Sequence, residues 1–191
     1  MKAPAPFCQK CPLAPCGRVS RDRRATMRPA GSCGAGDLEV VVSEALFGRK
    51  VTITLELAKQ LADTARREIT ARGFSMFVVI TGDDAVPLVV ERVNGAQAAS
   101  YEIAVEKARA AARFRRPTKA FEDRILKDGR VNLLSMPGIV AVEGGAPLFV
   151  EAQIVGAVGV SGGTGVEDGE VAAVVVAALA EISGKSASSG V

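Results

Sequence analysis

Residues 136–172, "MPGIVAVEGGAPLFVEAQIVGAVGVSGGTGVEDGEVA", set β-rich apolar runs between glycine pairs. Such runs, bounded by turn residues, predict strands at about Pro147–Glu151 and Ile154–Ser161 joined by a tight turn. Thr164 and Glu167 follow at capping-box spacing, so each can bond a free backbone N–H at the start of a closing helix. "GVSGGTG" lacks the Lys-Ser/Thr of a phosphate loop, and its glycines read as the sharp turn before that cap. "VEGGAP" reads as a turn whose Gly144 and Gly145 could let a ligand touch the backbone, and "VEDGE" as a helix-start charge pattern rather than a metal site.

Upstream, "TLELAKQLADTARREITARG" is an amphipathic helix with Thr54 as N-cap and Gly73 just past its end. Leu57, Leu61, Ala65 and Ile69 step along one face. "SMFVVITGDDAVPLVVER" reads as a hairpin, and Pro87 puts its second strand near an edge. "AASYEIAVEKARAAARFRRP" is a helix ended by Pro117; its face of Ile103, Ala104, Lys107, Ala108, Ala111 and Ala112 is small enough for close packing. "TKAFEDRILKDG" is a short helix capped by Thr118 and closed at Gly129, and residues 37–48 suit a further short helix. Helix, hairpin, helix, short helix, strands, helix is an α+β order, with a largely antiparallel sheet and helices packed on it.

"ITLELAKQLADTARREITARG", "SYEIAVEKARAAARFRRPTKAFE" and the 136–172 stretch together resemble the GlcG/HbpS family, whose domain also forms the C-terminal part of PduO-type corrinoid adenosyltransferases. The resemblance runs from about Val51 to Ile182, and its most specific parts are "RRPTKAFE" and "GGAPLFVEAQIVGAVGVSGG". It implies an α-β-α sandwich with a profilin-like, mainly antiparallel sheet, usually assembled into higher oligomers. It implies haem or corrinoid-related binding in some members, with "RRPT" as a haem-associated segment.

The residues of that segment give a reading of their own. Arg115, Arg116, Thr118 and Lys119 flank a helix start, where backbone N–H groups and partial positive charge favour an anion such as a propionate, phosphate or small carboxylate. Haem iron takes a His, Cys, Met or Tyr ligand. The chain has no His, leaving Met76, Met136 and Tyr101 in the body, so haem binding should be loose. Without His, Ser-His-Asp and Cys-His catalysis are excluded. Glu102, Glu106, Glu122, Asp123 and Glu143 could serve an enzyme acting on a small carboxylate, but form no paired constellation in the sequence.

All four cysteines, Cys8, Cys11, Cys16 and Cys33, fall in the first 36 residues, which carry a net charge of +6 against −3 for the remainder. This divides the chain into a Cys-rich basic metal-binding segment (1–36), the main domain (37–184) and a flexible tail (185–191). The start lacks the apolar core of a signal peptide, and no segment reaches the ~18 apolar residues of a membrane span, so the expected compartment is the cytoplasm. In a reducing compartment clustered thiolates are metal ligands rather than disulfides. The C-x2-C-x4-C-x16-C spacing favours an iron–sulfur cluster, with zinc as the alternative, because structural zinc usually takes two close pairs. Nucleic-acid binding by this leader is disfavoured, since Phe7 alone could stack on bases. The resemblance implies a homo-oligomeric binding or accessory protein, and the cysteines add a metal module to it, as expected of a subunit in a larger redox or metabolic assembly.

Overall fold

The computed structural model describes residue 48 and residues 50–188, with side chains to residue 184. The leader with its four cysteines lies outside the described residues, as does all but Gly48 of the short helix expected over 37–48.

The order is α1 (Leu55–Ala71), β1 (Phe77–Gly82), β2 (Pro87–Arg92), α2 (Ala99–Phe114), α3 (Lys119–Leu126), a 3-10 turn (Val131–Ser135), β3 (Gly145–Val150), β4 (Gln153–Ser161) and α4 (Gly165–Ser188). Several boundaries follow from local chemistry. Thr54 Oγ1 accepts from the Leu57 amide at 3.2 Å, and Gly73 takes the left-handed φ of +72° that ends α1. At α4 the capping box forms as its spacing implies: the Thr164 amide donates to Glu167 Oε2 at 2.7 Å, and the Glu167 amide to Thr164 Oγ1 at 3.3 Å. The strands after Gly144 start and end within two residues of their expected bounds, with Glu151 at φ +54° in the connecting turn. α4 runs to Ser188.

The strands pair antiparallel throughout, in the order β2-β1-β4-β3, so Pro87 does sit on an edge strand. Strand alternation sends Val78, Ile80, Val158 and Val160 to one face, where Leu61 and Ile69 of α1 and Val171 and Val175 of α4 close over them. Phe77 and Val79 point the other way, under Ala104, Val105 and Ala108 of α2. The result is an α-β-α sandwich. α2 approaches closely because it rests on a cross-strand pair of glycines, Gly145 and Gly159. Among the described residues no helix is long and apolar enough to cross a membrane.

Candidate functional site

α2 ends at Phe114, and the chain turns through Arg115, held at φ +53°, into the start of α3. Arg115 and Arg116 are exposed. The Arg116 guanidinium lies 5.8 Å from the centroid of the Phe121 ring, which meets Phe114 edge-on at 5.2 Å. Neither arginine has a carboxylate partner among the described residues.

Thr118 departs from its expected role. It makes no side-chain cap bond to α3 and is fully buried. Its amide donates to Gly145 O at 3.0 Å, and its Oγ1 accepts from the Gly145 amide at 2.9 Å. It therefore clamps the start of α3 to the start of β3. The amides of Ala120, Phe121 and Glu122 already donate to the carbonyls of Pro117 and Thr118, so this helix start offers an anion charge more than free N–H groups. Thr118→Val would leave the Gly145 N–H buried and unpaired. The expected loss is about 1–3 kcal/mol in urea denaturation, with a smaller loss for Thr118→Ser.

Lys119 Nζ lies 3.0 Å from Glu143 Oε2 and 3.5 Å from Asp123 Oδ1, and Lys127 reaches Asp123 at 3.2 Å. Glu122 Oε2 accepts from the Glu143 amide at 2.9 Å. Three of the five candidate carboxylates thus gather at α3. Glu102 and Glu106 stand apart on α2, Glu106 paired with Arg109 at 2.6 Å. Hydrogen bonding to Glu143 raises the Lys119 pKa, and hydrogen bonding to Lys127 lowers that of Asp123. Both groups hold their charge at neutral pH.

Beside this cluster is a cavity of about 280 Å³, walled by Lys119, Glu143, Gly144, Gly145, Ala172 and Val176 among others. The two glycines do expose backbone to it. Met76 is buried in the core, Tyr101 packs on Phe77, and Met136 follows the 3-10 turn; none of them lines the cavity. Among the described residues no group of three or more His, Cys, Asp and Glu could hold a metal ion.

Behind the Gly144–Gly145 wall lies a pair that the sequence reading missed. Lys107 Nζ meets Asp168 Oδ2 at 2.6 Å and Val160 O at 3.1 Å, and Asp168 Oδ1 accepts from the Gly163 amide at 3.0 Å. Lys107 and Asp168 are 1% and 2% exposed. Asp168 thus stands in the acidic first turn of α4, as the helix-start pattern implies, and is also one half of a buried ion pair. The available signal was Lys107 itself, a lone charge on the small-residue face of α2 with no acid three or four positions away.

The family model for haem degrading protein HbpS-like matches residues 53–177, a span that includes the α2–α3 junction, the glycine wall and the buried pair. The chain belongs to the HbpS-like family. Within it, protein GlcG of Escherichia coli strain K12 is 34% identical over 112 residues, which cover 59% of this chain and 83% of GlcG. The crystal structure of HbpS is 28% identical with a TM-score of 0.65, covering 71% of this chain and 95% of HbpS. Protein ORFY of Klebsiella pneumoniae is 25% identical with a TM-score of 0.63, covering 70% and 94%. The HbpS-like match begins at Ile53, so the four-cysteine leader lies outside it.

Proposed function

We propose that this HbpS-like chain is a binding and accessory protein whose body takes a flat or apolar ligand bearing carboxylates, with a haem-like tetrapyrrole first among the candidates. The observation that carries this reading is the cavity of about 280 Å³ with Lys119 on its wall. Arg115 and Arg116 stand exposed just before Pro117, which also lines it. Glycine, alanine and valine would pack against the ligand's body, and the arginines would meet its carboxylates. The residues present do not suit a haem held through its iron: the Thr118 oxygen is committed to Gly145, and no His, Cys, Met or Tyr lines the cavity. They suit a tetrapyrrole held by its propionates. The fixed charges of Lys119 and Asp123 favour binding over proton transfer, since neither group titrates near neutral pH.

The proposal extends to the leader. Cys8, Cys11, Cys16 and Cys33 act as one ligand set for an iron–sulfur cluster, with zinc as the alternative, because thiolates select these over magnesium or calcium. Residues 1–36 are then a metal segment attached to a main domain at 37–184, and the assembled protein is a cytoplasmic homo-oligomer serving a redox system.

Haemin titration of the full chain tests the body. Weak binding is expected, lost in Arg115→Ala/Arg116→Ala; tight binding unchanged in that variant removes the site. Metal and acid-labile sulfide analysis of anaerobically purified protein, beside Cys11→Ser, tests the leader. Iron with sulfide in the wild type alone supports the cluster, zinc without sulfide moves the assignment to a structural site, and no metal in either removes the module.

A further inference from the structure

The cavity beside α3 has two charges on its wall, and they already neutralise each other. Lys119 and Glu143 are the charged residues that line it; the others are proline, glycine, alanine and valine. Lys119 Nζ lies 3.0 Å from Glu143 Oε2. The cation that a bound carboxylate would meet inside the cavity is therefore held by a carboxylate of the protein itself. Asp123, at 3.5 Å and shared with Lys127, is the more distant partner.

The other oxygen of Glu143 has a seat of its own. Oε1 rests on Gly169 of α4, where an added methyl group would overlap it and lie 2.6 Å from Glu143 Cγ. Glycine is a poorer helix former than alanine, and what it provides here is room for this carboxylate. The backbone of Glu143 is fixed separately, since its amide donates to Glu122 Oε2 at 2.9 Å. The side chain can thus leave its seat without disturbing the entry to β3. The two side chains are 46% and 19% exposed, so the pair stands at the mouth of the cavity, and an ion pair so open to water is held weakly.

We propose that Glu143 is the specificity-determining residue of this cavity, a resident carboxylate that the ligand's carboxylate must displace from Lys119. This rests on the carboxylate-bearing ligand proposed above and supplies a reason for its weak binding. The exchange is like for like: Lys119 trades one carboxylate for another, and Glu143 turns to water. The lysine then contributes little net affinity, and the decision passes to the apolar wall. A small bare anion has nothing to offset the exchange. A ligand whose apolar body also packs on Ala172 and Val176 does, so Glu143 acts against the wrong ligand more than against the right one.

The test is titration of haemin, and separately of its dimethyl ester, into the full chain. Glu143→Gln keeps the shape that sits on Gly169 and removes the charge. It should tighten haemin by about fivefold, the weight of a half-exposed ion pair, and leave the ester unchanged. The gain should vanish when Lys119→Met is also present. Should Glu143→Gln fail to fold, Glu143→Asp, one methylene short of Lys119, should give a smaller gain of the same kind. Haemin binding that is lost in Arg115→Ala/Arg116→Ala yet equal in wild type and Glu143→Gln overturns the role of Glu143 while the reading of the cavity stands. A gain shared by the ester also overturns it, since that reports a looser cavity rather than a freed lysine. Haemin binding by none of these chains overturns both.

Discussion

Lys107→Met, made while Asp168 remains, is expected to cost about 3–5 kcal/mol of folding stability, because it leaves an uncompensated charge in the interior. Lys107 and Asp168 are 1% and 2% exposed, and Lys107 lies 2.6 Å from the carboxylate that balances it. The loss should depend on pH in a defined direction. Burial, the largest influence, holds the Asp168 carboxyl above the ordinary aspartate value even beside Lys107, which pulls it down along with the Gly163 amide. A carboxyl with a native pKa above its unfolded one binds its proton more tightly when folded. Its contribution to stability is therefore fullest below the unfolded value and falls as pH rises through the native one. Removing Lys107 removes the main counterweight and widens that window. Lys107→Met should accordingly regain stability as the pH is lowered, and Asp168→Leu, which strands the lysine instead, should not. Lys107→Met/Asp168→Leu should lose far less than either single change, since apolar groups of similar size can replace a buried pair at little cost. Urea denaturation of the three variants at several pH values decides this. Single-variant losses below about 1 kcal/mol would mean that water reaches the pair.

The features that were legible in the sequence are those whose partners lie close along the chain. Thr54 and Leu57, Thr164 and Glu167, and the β1–β2 hairpin declare themselves within a few residues, because the backbone group to be satisfied is local. Thr118 looked like another such cap, but its partner Gly145 is 27 residues away, and the inward bond replaces the local one. Lys107 and Asp168 are 61 positions apart, and spacing carries no trace of such a contact. The site shows the same division. Arg115, Arg116 and Lys119 were visible as a basic helix start. The meeting of Glu122 and Asp123 with Glu143 was not, because it requires β3 to begin beside α3, which is a consequence of sheet order.

Gly159→Ala is expected to cost about 3 kcal/mol, at the upper end of the usual range for overpacking. A methyl group there would overlap the Ala104 carbonyl oxygen and lie 2.6 Å from the Ala108 amide nitrogen. Both obstacles are backbone atoms of α2, so no change of rotamer relieves them; the helix must lift from the sheet or β4 must bend. Neither is easily done. Gly145, opposite Gly159, faces the same helix at Lys107 O, and β1 holds β4 on its other side. Lifting α2 would also move Lys107 away from Asp168 and shift Arg115 at the helix end, so the haemin affinity of any folded Gly159→Ala protein should fall with its stability. Gly184→Ala supplies the contrast. That glycine lies in α4 with nothing within 4 Å of an added methyl, and the same substitution there should stabilise by up to about 1 kcal/mol through helix propensity. Opposite signs for one chemical change, read by thermal and urea denaturation, would attribute the Gly159 loss to the seating of α2. Equal and small effects at both positions would mean that α2 does not bear on the glycine pair.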